Sequence, residues 1–193
     1  MNPLNIGIVV LAAGESQRFG SPKLVVPIDG VPLIRRVTLV ALGASANVVV
    51  VCGAHREVIE SHISDLSVAR VFNRDWSSGM GSSIARGIAA LSDVSEAAII
   101  LLADQALIGA KDFCALIAAH ARAPDRIIAA RYAGVLGPPC VFPRAYFAEL
   151  AALRGTQGAR ALLDLHAAAV DALPMPCAAT DIDTIEDYAQ LRP

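Results

Sequence analysis

Apolar and polar positions along this chain alternate between two kinds of pattern. Short runs rich in β-branched and small apolar residues, at 6–11, 47–52, 69–73, 97–103 and 126–132, read as strands. Between them, apolar positions recur every three or four residues and predict helices over 31–42, 56–63, 82–91 and 110–122. Pro32 suits the first turn of the first helix and Gly43 its end. The run 47–52, N-V-V-V-V-C, shows no polar alternation, as expected of a strand covered on both faces. Strand and helix in this order predict an α/β fold, three-layered and doubly wound, with a mostly parallel sheet and right-handed crossovers.

After Tyr132 the pattern changes. Gly134, Gly137, Pro138 and Pro139 break it, and 140–142 is a short apolar piece. Helices are expected at 144–153 and 157–169, then a strand near 170–173, the segment 181–183, and a helix ending at Leu191. Neither linker nor repeat interrupts the chain, so residues 1–193 are expected to form a single domain with an irregular C-terminal third, long enough to bury a core.

Composition narrows the function. The chain is 55% apolar and 18% charged, which argues for order, and its net charge is −2. Such a balance gives no bulk attraction to nucleic acid or a membrane surface, so an anion site must be local. Cys52, Cys114, Cys140 and Cys177 are far apart and form no CxxC, so buried free thiols in a reducing cytosol are expected. Residues 6–13 could pass for a signal-peptide core, but residues 1–5 carry no Lys or Arg. No stretch approaches a membrane span, and a cytoplasmic protein is expected.

The candidate chemistry collects where strands end, at the edge where open α/β sheets bind ligands. The first strand runs into Leu11-Ala12-Ala13-Gly14-Glu15-Ser16-Gln17-Arg18-Phe19-Gly20-Ser21-Pro22-Lys23-Leu24. Small residues let backbone N–H groups close on an anion, and Arg18 and Lys23 add the charge that a polyphosphate needs. The spacing fits neither a P-loop nor G-x-G-x-x-G. A second segment, Asn73-Arg74-Asp75-Trp76-Ser77-Ser78-Gly79-Met80-Gly81-Ser82-Ser83-Ile84, suits an anion or a ribose hydroxyl, or else makes Ser82 a helix cap. Asp104, ending an apolar strand, is placed either to hold Mg²⁺ or to cap the following helix. Asp181 and Asp183 share a face if extended, as a metal pair would; alternatively Asp183 or Thr184 caps the last helix. His62, His120 and His166 read as helix surface residues, and His55 lies at the binding edge without a firm role.

The first loop resembles the L-A-A-G-x-S-x-R-x-G-x-P-K signature of the nucleotidyltransferases, and more narrowly the MobA-like group that attaches a nucleotide to molybdopterin. The second segment resembles the N-x-x-W-x-x-G-M-x-x-S pattern of molybdenum cofactor cytidylyltransferases. Leu102 to Ala106 resembles L-x-D-Q-P, with Ala106 in place of Pro, and residues 181–187 resemble D-I-D-T-P-E-D. The resemblance implies a nucleotidyltransferase fold and a Mg²⁺-dependent enzyme that transfers CMP from CTP to molybdopterin with release of pyrophosphate. It implies Lys23, Arg18 and Asp104 as catalytic residues and Leu11, Ala12, Ala13, Gly14, Ser16, Gly20, Gly79, Gly81 and Ser82 around the nucleotide. Mg²⁺ would sit on Asp104 with Asp181 or Asp183. CTP is expected because Ala12-Ala13-Gly14 stands where guanylyltransferases carry A-G-G.

For the acceptor the resemblance implies Trp76, Met80, Gly137, Pro139, Gly158 and Arg160. Here the chain departs from the family: Pro138 replaces a His of G-x-x-G-H-P-x-x-F, and Thr156 replaces an Asp of L-x-G-D-x-G-A-R. Those departures leave room for a guanylyltransferase, for a sugar phosphate, polyol phosphate or phospholactate acceptor, or for a non-catalytic nucleotide-binding protein. A molybdenum hydroxylase or its maturation factor is the implied partner.

Overall fold

The strands expected from the sequence assemble into one seven-stranded sheet in the computed structural model, which describes residues 5–190. Residues 1–4, on which the leader reading draws, and the expected helix end at Leu191 lie outside the described residues. In chain order the elements are β1 (Ile6–Ala12), β2 (Pro27–Ile28), β3 (Val31–Pro32), α1 (Leu33–Ala44), β4 (Val48–Cys52), α2 (Arg56–Ser61), β5 (Ala69–Phe72) and α3 (Met80–Ala89). There follow β6 (Ala97–Leu102), α4 (Ala110–Arg122), β7 (Ile127–Tyr132), β8 (Val135–Pro143), α5 (Phe147–Ala152), α6 (Ala159–Leu165), β9 (Val170–Pro174) and α7 (Ile185–Gln190).

The strand order is β5-β4-β1-β6-β8-β7-β9, and all neighbours are parallel except β8, which runs against both β6 and β7. Period-two alternation sends Ile6, Ile8, Val10 and Ala12 to one face, against Leu33 and Val37 of α1, Ile59 of α2 and Phe113 and Leu116 of α4. Val9 and Leu11 go to the other face, against Ile84 and Ile88 of α3, Leu150 of α5 and Leu162 of α6. All residues of β1 and β4 are buried, which is why β4 carries no polar position. Each such Val or Ile contributes about 1.5–3 kcal/mol by leaving water.

Several boundaries move for local reasons. The first helix begins at Leu33, because Val31 and Pro32 pair with Ile28 and Pro27 across a turn. Gly43 does not end it. The helix stops at Ala44, where the Ser45 N–H donates to Ala41 O and the Ser45 hydroxyl donates to Ile6 O at 2.6 Å. α3 starts two residues earlier than expected, so Ser82 is not its cap. The apolar piece 140–142 belongs to the nine-residue strand β8, joined to β7 through Ala133 and Gly134, whose φ values of 48° and 77° suit a tight hairpin. Pro138 and Pro139 sit in a bulge between the pairs Ala129–Cys140 and Ala130–Gly137, where the ladder asks them for no N–H.

His120 is also corrected: its ring is buried rather than on the helix surface, and burial lowers its pKa. The four cysteines are free, but Cys114 is exposed and Cys177 half-buried. Among the described residues, no helix is long and apolar enough to cross a membrane.

Candidate active site

β1 lies between β4 and β6, so the chain leaves it toward one side and later returns to the other. At this switch point the carboxyl ends of β1 and β6 open a crevice. A cavity of about 560 Å³ fills it. Leu11, Ala12, Ala13 and Gly14 form one wall with Glu15, Ser16, Gln17 and Arg18, while Trp76, Ser77, Gly79, Met80 and Ser83 form another. Lys23, Leu24, Leu102, Asp104 and Asp183 complete the lining.

The loop after β1 is held by its own backbone. Ser16, at φ 59°, accepts the Phe19 and Gly20 N–H groups on its carbonyl, and its hydroxyl accepts the Lys23 N–H at 3.3 Å. Gly20 has φ 75°, so its part is to turn the chain; it does not line the cavity. His55 Nε2 lies 2.9 Å from Glu15 O and ties the loop to the end of β4, a role with no signal in the residue pattern.

The turn at Lys23 brings its ammonium to two carboxylates. Lys23 Nζ lies 2.6 Å from Asp104 Oδ2 and 2.8 Å from Asp183 Oδ1, and Arg18 Nη2 lies 2.7 Å from Asp183 Oδ2. Lys23 is nearly covered, with 12% of its side chain exposed, whereas Arg18 is 72% exposed. Burial works against the Lys23 charge, but its two carboxylate partners outweigh it and raise the pKa. Burial likewise pushes Asp183 up, and Lys23 with Arg18 brings it below the usual range.

The capping alternatives resolve in favour of the site. Gly109 precedes α4, and its N–H donates to Asp112 Oδ2 at 2.9 Å, which leaves Asp104 out of the cap. Thr184 and Asp187 cap α7 reciprocally: Asp187 N–H donates to Thr184 Oγ1 at 3.1 Å, and Asp187 Oδ2 accepts the Thr184 N–H at 2.8 Å. Asp183 is thereby left to face the cavity. Asp181 is not part of the lining; its backbone bridges to Gln105, and Ile182 N–H donates to Asp104 O. The Asp181 carboxyl, whose Oδ1 is buried without a partner, is within electrostatic range of Asp104 and Asp183 but outside the cavity lining. Among the described residues, no group of three His, Cys, Asp or Glu converges as a metal cluster.

Asp181 carries a cost. Burial, then the neighbouring Asp104 and Asp183 carboxylates, push its pKa up to about 6. A carboxyl group with a higher pKa in the folded state binds its proton more tightly there. Its contribution is therefore fully present below the unfolded value near 4 and is lost as pH rises through about 6. Asp183 and Asp187, both lowered, act in the opposite sense and only in more acid solution. Without divalent cations, Asp181→Asn is expected to stabilise the protein by about 1–2 kcal/mol at neutral pH, after allowance for partial solvent screening. Thermal melts in EDTA from acid to neutral pH check this; equal stability at neutral pH would contradict it.

The second loop divides its residues between two sides. Asn73, fully buried, donates through Nδ2 to Ser82 Oγ at 2.8 Å and Ser83 Oγ at 3.0 Å, and its Oδ1 accepts the Asp75 N–H. Ser83 faces the cavity, while Ser82 turns away and donates to Asp75 O and Gly79 O. Ser83 stands at the last position of the family pattern, whereas Ser82, expected at the nucleotide, does not line the cavity. Gly79, at φ 124°, lines the cavity and leaves no room for a Cβ against Gly155 O. Gly81 packs beneath Arg154 and Gln157, outside the cavity. Of the expected acceptor residues, Trp76 and Met80 line the cavity, and Gly137, Pro139, Gly158 and Arg160 do not.

This architecture agrees with known proteins. The MobA-like NTP transferase domain matches residues 8–171. The purine catabolism protein PucB of Bacillus subtilis (strain 168) is 30% identical over 203 residues, covering 99% of this chain and 97% of that one. Nicotine blue oxidoreductase of Paenarthrobacter nicotinovorans is 31% identical over 195 residues, covering 95% and 94%. Among solved structures, Rv0371c from Mycobacterium tuberculosis H37Rv superposes with a TM-score of 0.84 at 24% identity over 97% of both chains. A complex of Rv0371c with manganese gives 0.81 at 25% identity, again over 97% of both. Since the domain match takes in both walls of the cavity and most of the sheet, the chain belongs to the MobA-like NTP transferase family.

Proposed function

We propose that this protein is a Mg²⁺-dependent cytidylyltransferase that transfers CMP from CTP to the phosphate of molybdopterin. The observation that carries the reading is the Lys23 ammonium between Asp104 and Asp183, at the rim of a nucleotide-sized cavity walled by the loop after β1. An oxygen of the acceptor phosphate attacks the α-phosphorus of CTP in line, the bond from that phosphorus to the bridging oxygen breaks, and pyrophosphate leaves. The acceptor oxygen is already anionic, so no residue need remove a proton from it. Lys23 offsets charge gathering on the α-phosphate, and Arg18, exposed at the rim, holds the β- and γ-phosphates.

The donor set suits a hard divalent cation. Asp104 Oδ1 is buried with no hydrogen-bond partner, and Asp183 offers a second carboxylate facing the same cavity. Bound there, the cation would neutralise the phosphates and orient the leaving group. Asp104 and Asp183 would hold it as Lys23 shifts toward the α-phosphate. The manganese complex of Rv0371c supports a divalent cation in this fold.

CTP is favoured because Ala12 and Ala13 narrow the wall where guanylyltransferases have an extra glycine, although one methyl discriminates modestly. Pro138 and Thr156 favour a second reading, another phosphorylated acceptor on the same transfer chemistry.

The test is pyrophosphate release with Mg²⁺, each NTP and a panel of phosphorylated acceptors. Release with CTP and molybdopterin is expected; release with GTP instead would overturn the base assignment. Because one relative bears an oxidoreductase's name, reductant oxidation is the parallel control. Turnover there without pyrophosphate release would overturn the transfer reading.

A further inference from the structure

Strand order places one unassigned polar group beside the site. β7 runs parallel to β6, with β8 between them, so Tyr132 ends β7 at the same sheet edge where Asp104 follows β6. Two inter-strand spacings separate them along that edge, about 10 Å. The Tyr132 ring lies over Gly137: a Cβ at Gly137 would stand 2.6 Å from the phenol oxygen. Glycine at 137 therefore makes the seat that the tyrosine occupies.

Of the residues that the acceptor motifs singled out, Gly137 and Arg160 act on the phenol. Asp181, Arg160 and Asp104 all act on it electrostatically, as does the buried Cys140. Burial and this carboxylate field hold its pKa up at about 12, so the hydroxyl stays protonated at any working pH. Tyr132 is half-buried and lies outside the cavity lining; among the described residues its hydroxyl makes no hydrogen bond, and it is not fully buried. The neighbouring Pro138, by contrast, has no donor to offer, and its carbonyl is taken by Gln105 Nε2 at 2.9 Å.

We infer that Tyr132 is a specificity-determining residue of the acceptor site, its hydroxyl donating a hydrogen bond to a polar acceptor atom on the part of the second substrate remote from its phosphate. This rests on the transfer reading proposed above and deepens it. The acceptor it fits carries a hydrogen-bond-accepting group beyond the phosphate that attacks CTP. Gly137 contributes by its missing side chain, and Arg160 by its positive charge.

Tyr132→Phe keeps the ring over Gly137 and deletes only the hydroxyl. With the wild-type enzyme, CTP and molybdopterin, steady-state rates of pyrophosphate release are to be compared with those of this variant, and binding of molybdopterin alone followed by calorimetry. The expected result is a rise of about tenfold in the acceptor KM and Kd, with the KM for CTP unchanged. Gly137→Ala, which displaces the ring, is expected to shift the same two constants in the same direction. An active wild type with an unaltered acceptor KM in Tyr132→Phe would overturn the assignment while leaving the transfer reading intact. A wild type inert with every acceptor would overturn both.

Discussion

Lys23→Ala is expected to lower the turnover number about 100-fold or more at saturating CTP and Mg²⁺, with a smaller change in the KM for CTP. The argument is electrostatic. Lys23 is the buried cation of the site, held by Asp104 at 2.6 Å and Asp183 at 2.8 Å, and its raised pKa keeps it charged. Charge on the α-phosphate grows during transfer, so a fixed ammonium contributes more in the transition state than in the ground state. Arg18 cannot replace it, being largely exposed at the rim. The substitution also leaves two carboxylates facing each other, so a thermal melt must accompany the kinetics. Rates within a fewfold of wild type in a folded variant would remove Lys23 from the mechanism.

Asp104→Asn is expected to cost a similar factor and to change the response to metal. Asparagine keeps the shape and an oxygen for Lys23 but removes the charge that makes Oδ1 a divalent-cation ligand. Titration of activity with Mg²⁺ and Mn²⁺ should show half-saturation moving to much higher concentration, with the maximal rate still about 100-fold down. An unshifted metal titration would place the cation elsewhere. The two variants separate the roles: Lys23→Ala should leave the metal response largely in place, and Asp104→Asn should not.

Much of the fold was legible because β1 and β4 are buried on both faces, and such strands have to be written in uninterrupted apolar residues. β8 was not. Gly137, Pro138 and Pro139 erase the alternation, yet a bulge lets the strand pair on both sides of them. Gly43 misled for a different reason: propensity suggested a helix end, while the stop is made by Ser45 through a hydroxyl bond to Ile6 O, a long-range contact.

The loop after β1 announced its cavity residues, since small residues and two cations within one turn have few other uses. Which of Asp181 and Asp183 lines the cavity could not be read from period two. It depends on the backbone bridge from Asp181 to Gln105 and on the Thr184–Asp187 cap that follows. Gly20, Gly81 and Ser82 looked like ligand contacts and proved to shape loops, a distinction that depends on which way each peptide faces. Tyr132 carried no signal, because only the strand order brings the end of β7 near Asp104.

The central claim is that one metal-bound triphosphate lies between the loop after β1 and the carboxylates that follow β6 and precede α7. Crystals grown with a non-hydrolysable CTP analogue and Mn²⁺, with the anomalous signal used to find the metal, test it most directly. The account predicts a manganese peak on the carboxylates of Asp104 and Asp183, with Lys23 Nζ moved onto the α-phosphate and the cytosine against Ala12 and Ala13. A manganese peak away from Asp104, or a triphosphate bound outside the cavity that Lys23 lines, would contradict it.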